Sequence, residues 1–196
     1  MDRLDQQINF LVEADKLKSV ERRTRLIDDS RHENSAEHTW HLLLAAVVLR
    51  EYTTAEIDLL RVMELIAMHD LVEIDAGDTF AYDHAGQTTK AEREHAAAER
   101  IFGLLPEDQQ SYFHTLWHEF EAKRTPEARF ANALDRFQPL LLNAHSEGGS
   151  WKQLKLTRDD VLRRMGPIES AMPDLWPTVV RVVDAFCVAG VLRSIK

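Results

Sequence analysis

His69 and Asp70 stand side by side near the end of the apolar run Ala67-Met68-His69-Asp70-Leu71-Val72-Glu73. An imidazole and a carboxylate beside a core stripe need a partner or an ion, because their lost hydration is otherwise uncompensated. Helical neighbours point about 100° apart, so an adjacent His and Asp can clasp one ion over their shared edge. Glu73 lies one turn later on the same face. From there it reaches a water molecule without being a ligand, the place of a general acid or base. On its own the dipeptide reads more simply as the end of a helix with local hydrogen bonds. Two residues elsewhere add weight to the first reading. His38 opens a second helix in Glu33-Asn34-Ser35-Ala36-Glu37-His38. Asp135 sits in Phe130-Ala131-Asn132-Ala133-Leu134-Asp135-Arg136-Phe137, where a lone carboxylate would be costly.

The order His … His-Asp … Asp, each member on a separate helix, resembles the HD-domain metal-dependent phosphohydrolase superfamily. Within it, the 5′-deoxynucleotidase branch of bacteria is most similar. The resemblance runs from about Leu17 to Trp151 and rests on three stretches. These are Arg31-His32-Glu33-Asn34-Ser35-Ala36-Glu37-His38-Thr39-Trp40-His41, then Met68-His69-Asp70-Leu71-Val72-Glu73-Ile74-Asp75-Ala76-Gly77-Asp78-Thr79, and Ala133-Leu134-Asp135-Arg136-Phe137-Gln138-Pro139-Leu140. It implies one divalent metal ion held by His38, His69, Asp70 and Asp135. It also implies that Glu73 and Asp78 handle water and leaving group or orient the sugar. An arginine just before the second helix would bind the substrate phosphate. There the branch has Arg followed by Trp, whereas this chain reads Arg22-Arg23-Thr24. Arg22 is preferred, Arg23 is kept, and no Trp is present to stack on the substrate.

Mixed imidazole and carboxylate donors suit Mn, Co, Fe, Ni or Zn and leave positions open for water and a phosphate oxygen. Such an ion makes water more acidic and offsets the charge of a phosphate dianion. The implied reaction converts a (deoxy)ribonucleoside 5′-monophosphate to nucleoside and phosphate. Lys90, opening the helix after the 75–87 loop, is a further phosphate-binding candidate, and His84, beside Asp83 in that loop, either borders the pocket or is a plain loop residue. A rival reading keeps the site but makes it dinuclear, for diester or alarmone hydrolysis or di-iron oxygenation, with His95, His114 or His118 on a second ion. Another makes the chain a non-catalytic nucleotide-binding module. His41, three residues past His38, reads as support or packing rather than a ligand.

The positioning elements read as helices, giving an all-α fold: one HD-domain bundle of about seven to nine helices over residues 1–196. The metal-site core spans about 17–151, and the helices of 157–196 pack on it or on a partner subunit. A first amphipathic helix covers 4–21, and 22–34 reads as a polar connecting loop. Asn34 or Ser35 caps a second helix to about Arg50. Thr53 with Glu56 predicts a capping box opening a third, ending near Glu73. Further helices are expected at about 89–103, 106–122 and 126–145, with Pro126 in a first turn behind Thr125. Gly148-Gly149 breaks the chain, Thr157 to Asp160 opens a short helix, and 168–194 adds one or two around Pro173 and Pro177.

Composition narrows the classes. Of 196 residues, 44% are hydrophobic and 29% charged, a globular balance with only 7 glycines and 6 prolines to make turns. The single cysteine, Cys187, has no disulfide partner within the chain, and Trp40, Phe137 and Trp151 read as core or interface. The expected setting is cytoplasmic: the chain starts without a secretory leader, and no apolar run is long enough for a membrane span. A formal charge of −9 argues against a nucleic-acid polymer as partner, though not against a small phosphorylated substrate. The resemblance favours a homodimer.

Overall fold

The computed structural model describes residues 1–80, 84–154 and 156–193, and their side chains except at 84, 85 and 153. The side chains of Asp83 and His84 lie outside this set, as do residues 194–196. The described chain is helical apart from one hairpin. Its elements are α1 (Arg3–Ala14), a 3-10 turn, β1 (Glu21–Arg25), β2 (His32–Asn34), α2 (Ser35–Leu49), α3 (Leu59–His69) and the single turn α4 (Glu73–Ala76). Then follow α5 (His84–Phe102), α6 (Glu107–Ala122), α7 (Pro126–His145), α8 (Gly149–Leu154), α9 (Arg158–Ala171) and α10 (Trp176–Val188).

Local chemistry sets most boundaries. Asn34 caps α2 in a reciprocal box: its side chain accepts from the Glu37 N–H, and Glu37 accepts from the Asn34 N–H. Thr125 and Pro126 open α7, and a Thr157–Asp160 box opens α9, both at the expected positions. The expected box at Thr53 is corrected. The cap of α3 lies five residues later, because Asp58 accepts from the N–H groups of both Leu60 and Arg61 and so satisfies two orphan donors at once. The segment before it is held by α9 instead, through a bond from the Thr54 N–H to the Ala171 carbonyl. At the other end α3 stops at His69, and Glu73 opens the separate turn α4.

The polar stretch 22–34 is also corrected. It forms an antiparallel hairpin that pairs Glu21 with Asn34 and Arg25 with His32 around a bulge. Its turn uses the left-handed backbone of Asp29 and the Asp28 carboxylate, which accepts from the Ser30 N–H. The inward-facing residues of this hairpin, Arg22, Thr24 and Glu33, are polar, so apolar alternation could not reveal it.

Two buried clusters hold the fold. One gathers α2, α3, α6, α7, α9 and α10 around Leu42, Leu65, Phe130, Leu134 and Ile168. The other joins α1, α5 and α6 around Phe10, Ile101, Phe102 and Trp117, with Leu71 and Val72 from the segment after α3. Met68 and Phe113 pack against both. The C-terminal segment packs on the chain's own core: Val179 and Val183 are fully buried, and Phe186 meets Trp151 edge-on at 5.4 Å. Gly148 is required where that contact closes, since its φ is +96° and a Cβ there would stand 2.8 Å from Val191. No helix among the described residues is long and apolar enough to cross a membrane.

Candidate metal centre

Three helices and the hairpin converge on one acidic, imidazole-bearing cluster. α2 contributes His38, fully buried. The last residue of α3 is His69, and Asp70 follows as its C-cap. α7 contributes Asp135 on a polar stripe with Asn132 one turn before and Gln138 one turn after, amid buried Ala131, Ala133 and Leu134. β1 sends in Arg22.

One donor atom each from His38, His69 and Asp135 lie within 4.8 Å of one another. His38 Nε2 stands 3.1 Å from Asp135 Oδ1 and 4.0 Å from Asp70 Oδ2. Asp70 borders this group, with Oδ1 3.0 Å from His69 Nε2 and Oδ2 3.2 Å from Arg22 Nη1. Through Nδ1 the His69 ring bonds the Ile66 carbonyl at 2.7 Å. A carbonyl only accepts, so Nδ1 carries the proton, and Nε2 turns toward the cluster. Although Asp70 Oδ1 is close, that buried Nε2 is not aligned for a hydrogen bond to it or to any other group. An orphaned imidazole nitrogen facing two carboxylates and a second imidazole is the donor set a divalent transition ion needs.

The electrostatics follow from crowding. Burial opposes charge on His69, yet the carboxylates of Asp70, 3.0 Å away, and Asp135 together raise the imidazole to about 9. Burial likewise pushes Asp70 upward, but His69, Arg22 and His38 outweigh it and bring the carboxyl to about 2. Asp135 is held well below the usual range against its burial, by Arg136 at 2.9 Å, His38 and His69. Glu73 behaves oppositely. Burial, then the Asp70 carboxylate, push it up to about 8, although Arg22 pulls the other way. Its Oε2 accepts from the Ser35 hydroxyl at 2.7 Å. Asp78, after Gly77, is raised mainly by burial against the pull of Arg22, whose Nη1 is 4.0 Å away.

A cavity of about 350 Å³ opens beside the cluster, lined by His69, Asp70, Glu73, Asp78 and Asp135 as well as Arg22 and Lys90. Lys90 pairs with Glu94 at 3.3 Å there. Arg22 reaches Asp70, Glu73, Asp78 and Glu33. Strand alternation turns Arg23 outward, and it borders a smaller recess of about 80 Å³ that shares Arg22 and Asp78. Arg136, Lys123 and the buried Asn132, whose amide nitrogen is unpartnered, also line the larger cavity, and sequence reading missed all three. The spacing of Asn132, Asp135 and Gln138 at successive turns was the available signal. None of the histidines weighed for a second ion joins the cluster. His95 and His118 are exposed, and His114 stands 3.8 Å from Glu99. Trp40, expected in core or interface, is 64% exposed.

Comparison with known proteins agrees with this geometry. A solved structure from Magnetospirillum magnetotacticum, called a predicted metal-dependent phosphohydrolase, superposes with a TM-score of 0.92 at 47% identity, covering 97% of this chain and 95% of that one. A conserved hypothetical protein from Pyrococcus furiosus shares the fold, at TM-score 0.65 and 20% identity over 91% of this chain and 99% of the other. The zebrafish protein named 5′-deoxynucleotidase HDDC2 is 27% identical over 143 residues, 72% of this chain and 70% of that protein. Its human namesake is 30% identical over 111 residues, 57% of this chain. This chain spans about half, 53%, of that human relative's length. The family model described as HD domain matches residues 14–176, most of the sequence, and the chain therefore belongs to the HD-domain family.

Proposed function

We propose that the protein is a metal-dependent phosphohydrolase that converts (deoxy)ribonucleoside 5′-monophosphates to nucleoside and phosphate. The observation that carries this reading is the orphaned His69 Nε2, facing His38, Asp70 and Asp135 at the edge of a cavity also lined by cationic side chains, Arg22 and Lys90 among them. The nucleotide substrate is supported by the names of the zebrafish and human relatives.

His38, His69, Asp70 and Asp135 are the residues that hold the ion. A divalent cation there supplies charge that offsets the phosphate dianion and makes water easier to deprotonate. Arg22 and Lys90 place positive charge on the cavity wall, where a phosphate is otherwise repelled by Asp70, Glu73 and Asp78. Glu73, whose carboxyl burial and Asp70 push upward in the metal-free site, is the acid that delivers a proton to the 5′-oxygen as the bond from phosphorus to that oxygen breaks. Asp78 orients the sugar. Metal-stripped protein given back Mn, Co, Ni, Zn or Mg singly is expected to release phosphate from a panel of 5′-mononucleotides only when an ion is restored. Silence across the whole panel would remove this reading.

The working form is a cytoplasmic homodimer. Its support is an apolar face on α2, where Trp40, Leu44, Val47 and Val48 are 64%, 47%, 48% and 58% exposed. Sedimentation is expected to show a dimer at micromolar concentration and a monomer for Leu44→Glu. A monomeric parent protein would exclude the dimer and leave the catalytic reading untouched.

A further inference from the structure

Behind His38, on the side away from the cavity, lies a buried polar chain that the proposed reaction does not use. His38 Nδ1 stands 3.0 Å from Gln138 Oε1, across 100 residues of sequence. The Gln138 side chain is 1% exposed. Its amide nitrogen is 2.5 Å from Glu33 Oε1 and 3.3 Å from His41 Nδ1, so each of its two N–H groups has an acceptor. Glu33 is itself buried, and its other oxygen lies 3.6 Å from Arg22 Nε.

This pattern admits one orientation of the amide. Turned over, Gln138 would set its carbonyl oxygen against the Glu33 carboxylate and lose both N–H bonds. With the nitrogen pinned by Glu33, the carbonyl must face His38. A carbonyl only accepts, so His38 Nδ1 carries the proton of the neutral ring. Its Nε2 is then left as a bare lone pair aimed at the cluster, 3.1 Å from Asp135 Oδ1. His69 reaches the same state through the Ile66 backbone carbonyl. The two imidazoles thus present matching nitrogens, one locked by main chain and the other by two side chains from distant elements.

We propose that Glu33 and Gln138 are positioning residues that lock His38 in the tautomer whose Nε2 is free to bind the metal ion. The proposal rests on the metal-centre reading above. Without Gln138 the acceptor left near Nδ1 is Glu33 Oε2, at 3.7 Å, beyond hydrogen-bond distance, whereas Asp135 Oδ1 stands 3.1 Å from Nε2 and can take a proton placed there. The tautomer should therefore reverse, and the ligand nitrogen would be blocked.

The test uses full-length protein with ¹⁵N-labelled histidine, stripped of metal, at a pH high enough that the ring is neutral. The His38 signals are assigned by their loss in His38→Gln. Long-range ¹H–¹⁵N spectra are expected to show the proton on Nδ1 in the parent protein and on Nε2 in Gln138→Leu, with the His69 signals unchanged. Competition with a chromophoric chelator should show Zn²⁺ bound about 10- to 100-fold more weakly by Gln138→Leu. Glu33→Gln keeps an acceptor for the Gln138 amide and should retain the parent tautomer, while Glu33→Leu should lose it. A proton on Nε2 in the parent protein overturns the proposal, and that measurement needs no variant to fold. An unchanged tautomer and affinity in Gln138→Leu overturn it as well. Failure of the metal-centre reading looks different: the parent protein would show the expected tautomer yet bind no divalent ion.

Discussion

Replacing Asp135 by Asn should lower kcat/KM for the best nucleotide by about a thousandfold and reduce bound metal in parallel. The change keeps the shape of the side chain and removes one negative charge from a group of two imidazoles and two carboxylates. Asp135 Oδ1 stands 3.1 Å from His38 Nε2, while Oδ2 is held by Arg136 at 2.9 Å, so the carboxylate is already aimed at the cluster. An ion that polarises phosphate contributes several kcal/mol to the transition state, and about 4 kcal/mol corresponds to three orders of magnitude. Arg136 makes the loss larger, because without its carboxylate partner it leaves positive charge beside the site. Metal analysis and steady-state kinetics on the same preparation decide the matter. A variant that kept both metal and activity would remove Asp135 from the ligand set.

Glu73→Gln should separate chemistry from metal binding. Its kcat is expected to fall about 100- to 10,000-fold, the range for a lost general acid or base, with metal content close to that of the parent. Retention of metal follows from position: Glu73 Oε2 bonds the Ser35 hydroxyl and lies 4.0 Å from Arg22, outside the His38, His69 and Asp135 group. Gln can keep the Ser35 bond through its carbonyl oxygen, so the local packing should survive.

The same variant has a signature in stability. In the metal-free protein Glu73 is raised from 4.5 to about 8, so the folded chain holds this proton more tightly than the unfolded chain does. The resulting stability is fully present below pH 4.5 and is lost as pH rises through about 8. Glu73→Gln cannot titrate and should not show this loss. Denaturant unfolding of metal-free protein at pH 8 should find the variant more stable than the parent by about a few kcal/mol. Equal stability at pH 8, or an unchanged kcat, would show that Glu73 is not the protonated group. Increased stability with lost turnover is the expected mark of a residue strained for function.

Helix boundaries were legible in the sequence wherever one local device set them. Asn34 with Glu37, Thr125 with Pro126, and Thr157 with Asp160 each satisfy free N–H groups within a single turn, and the corresponding helices start where those residues stand. The Thr53 box was misread because Asp58 competes for the same role and bonds two N–H groups instead of one. Hairpin 21–34 was illegible for a different reason. Its inward face is made of Arg22, Thr24 and Glu33, where Arg22 bonds Asp70 and Glu33 accepts from the Gln138 amide, so polar partners take the place of an apolar core. Hydrophobic periodicity carries no trace of such a face.

By itself, the sequence determined an all-helical chain of the HD-domain kind, with His69-Asp70 at a helix end and His38 and Asp135 on two other helices. The helices and their ends are properties of nearest neighbours, set by propensity, capping and residue type within a few turns, while the family is legible in three motifs in a fixed order. Only the tertiary structure decided that Arg22 rather than Arg23 enters the acidic cluster, that Lys90 faces the cavity with Glu94, and that Trp40 stays outside. It alone also joined Glu33 to Gln138 across 105 residues, behind a histidine 100 residues from that glutamine. Contacts of that span arise from how helices pack. Their strength comes from burial, which no local window of sequence contains.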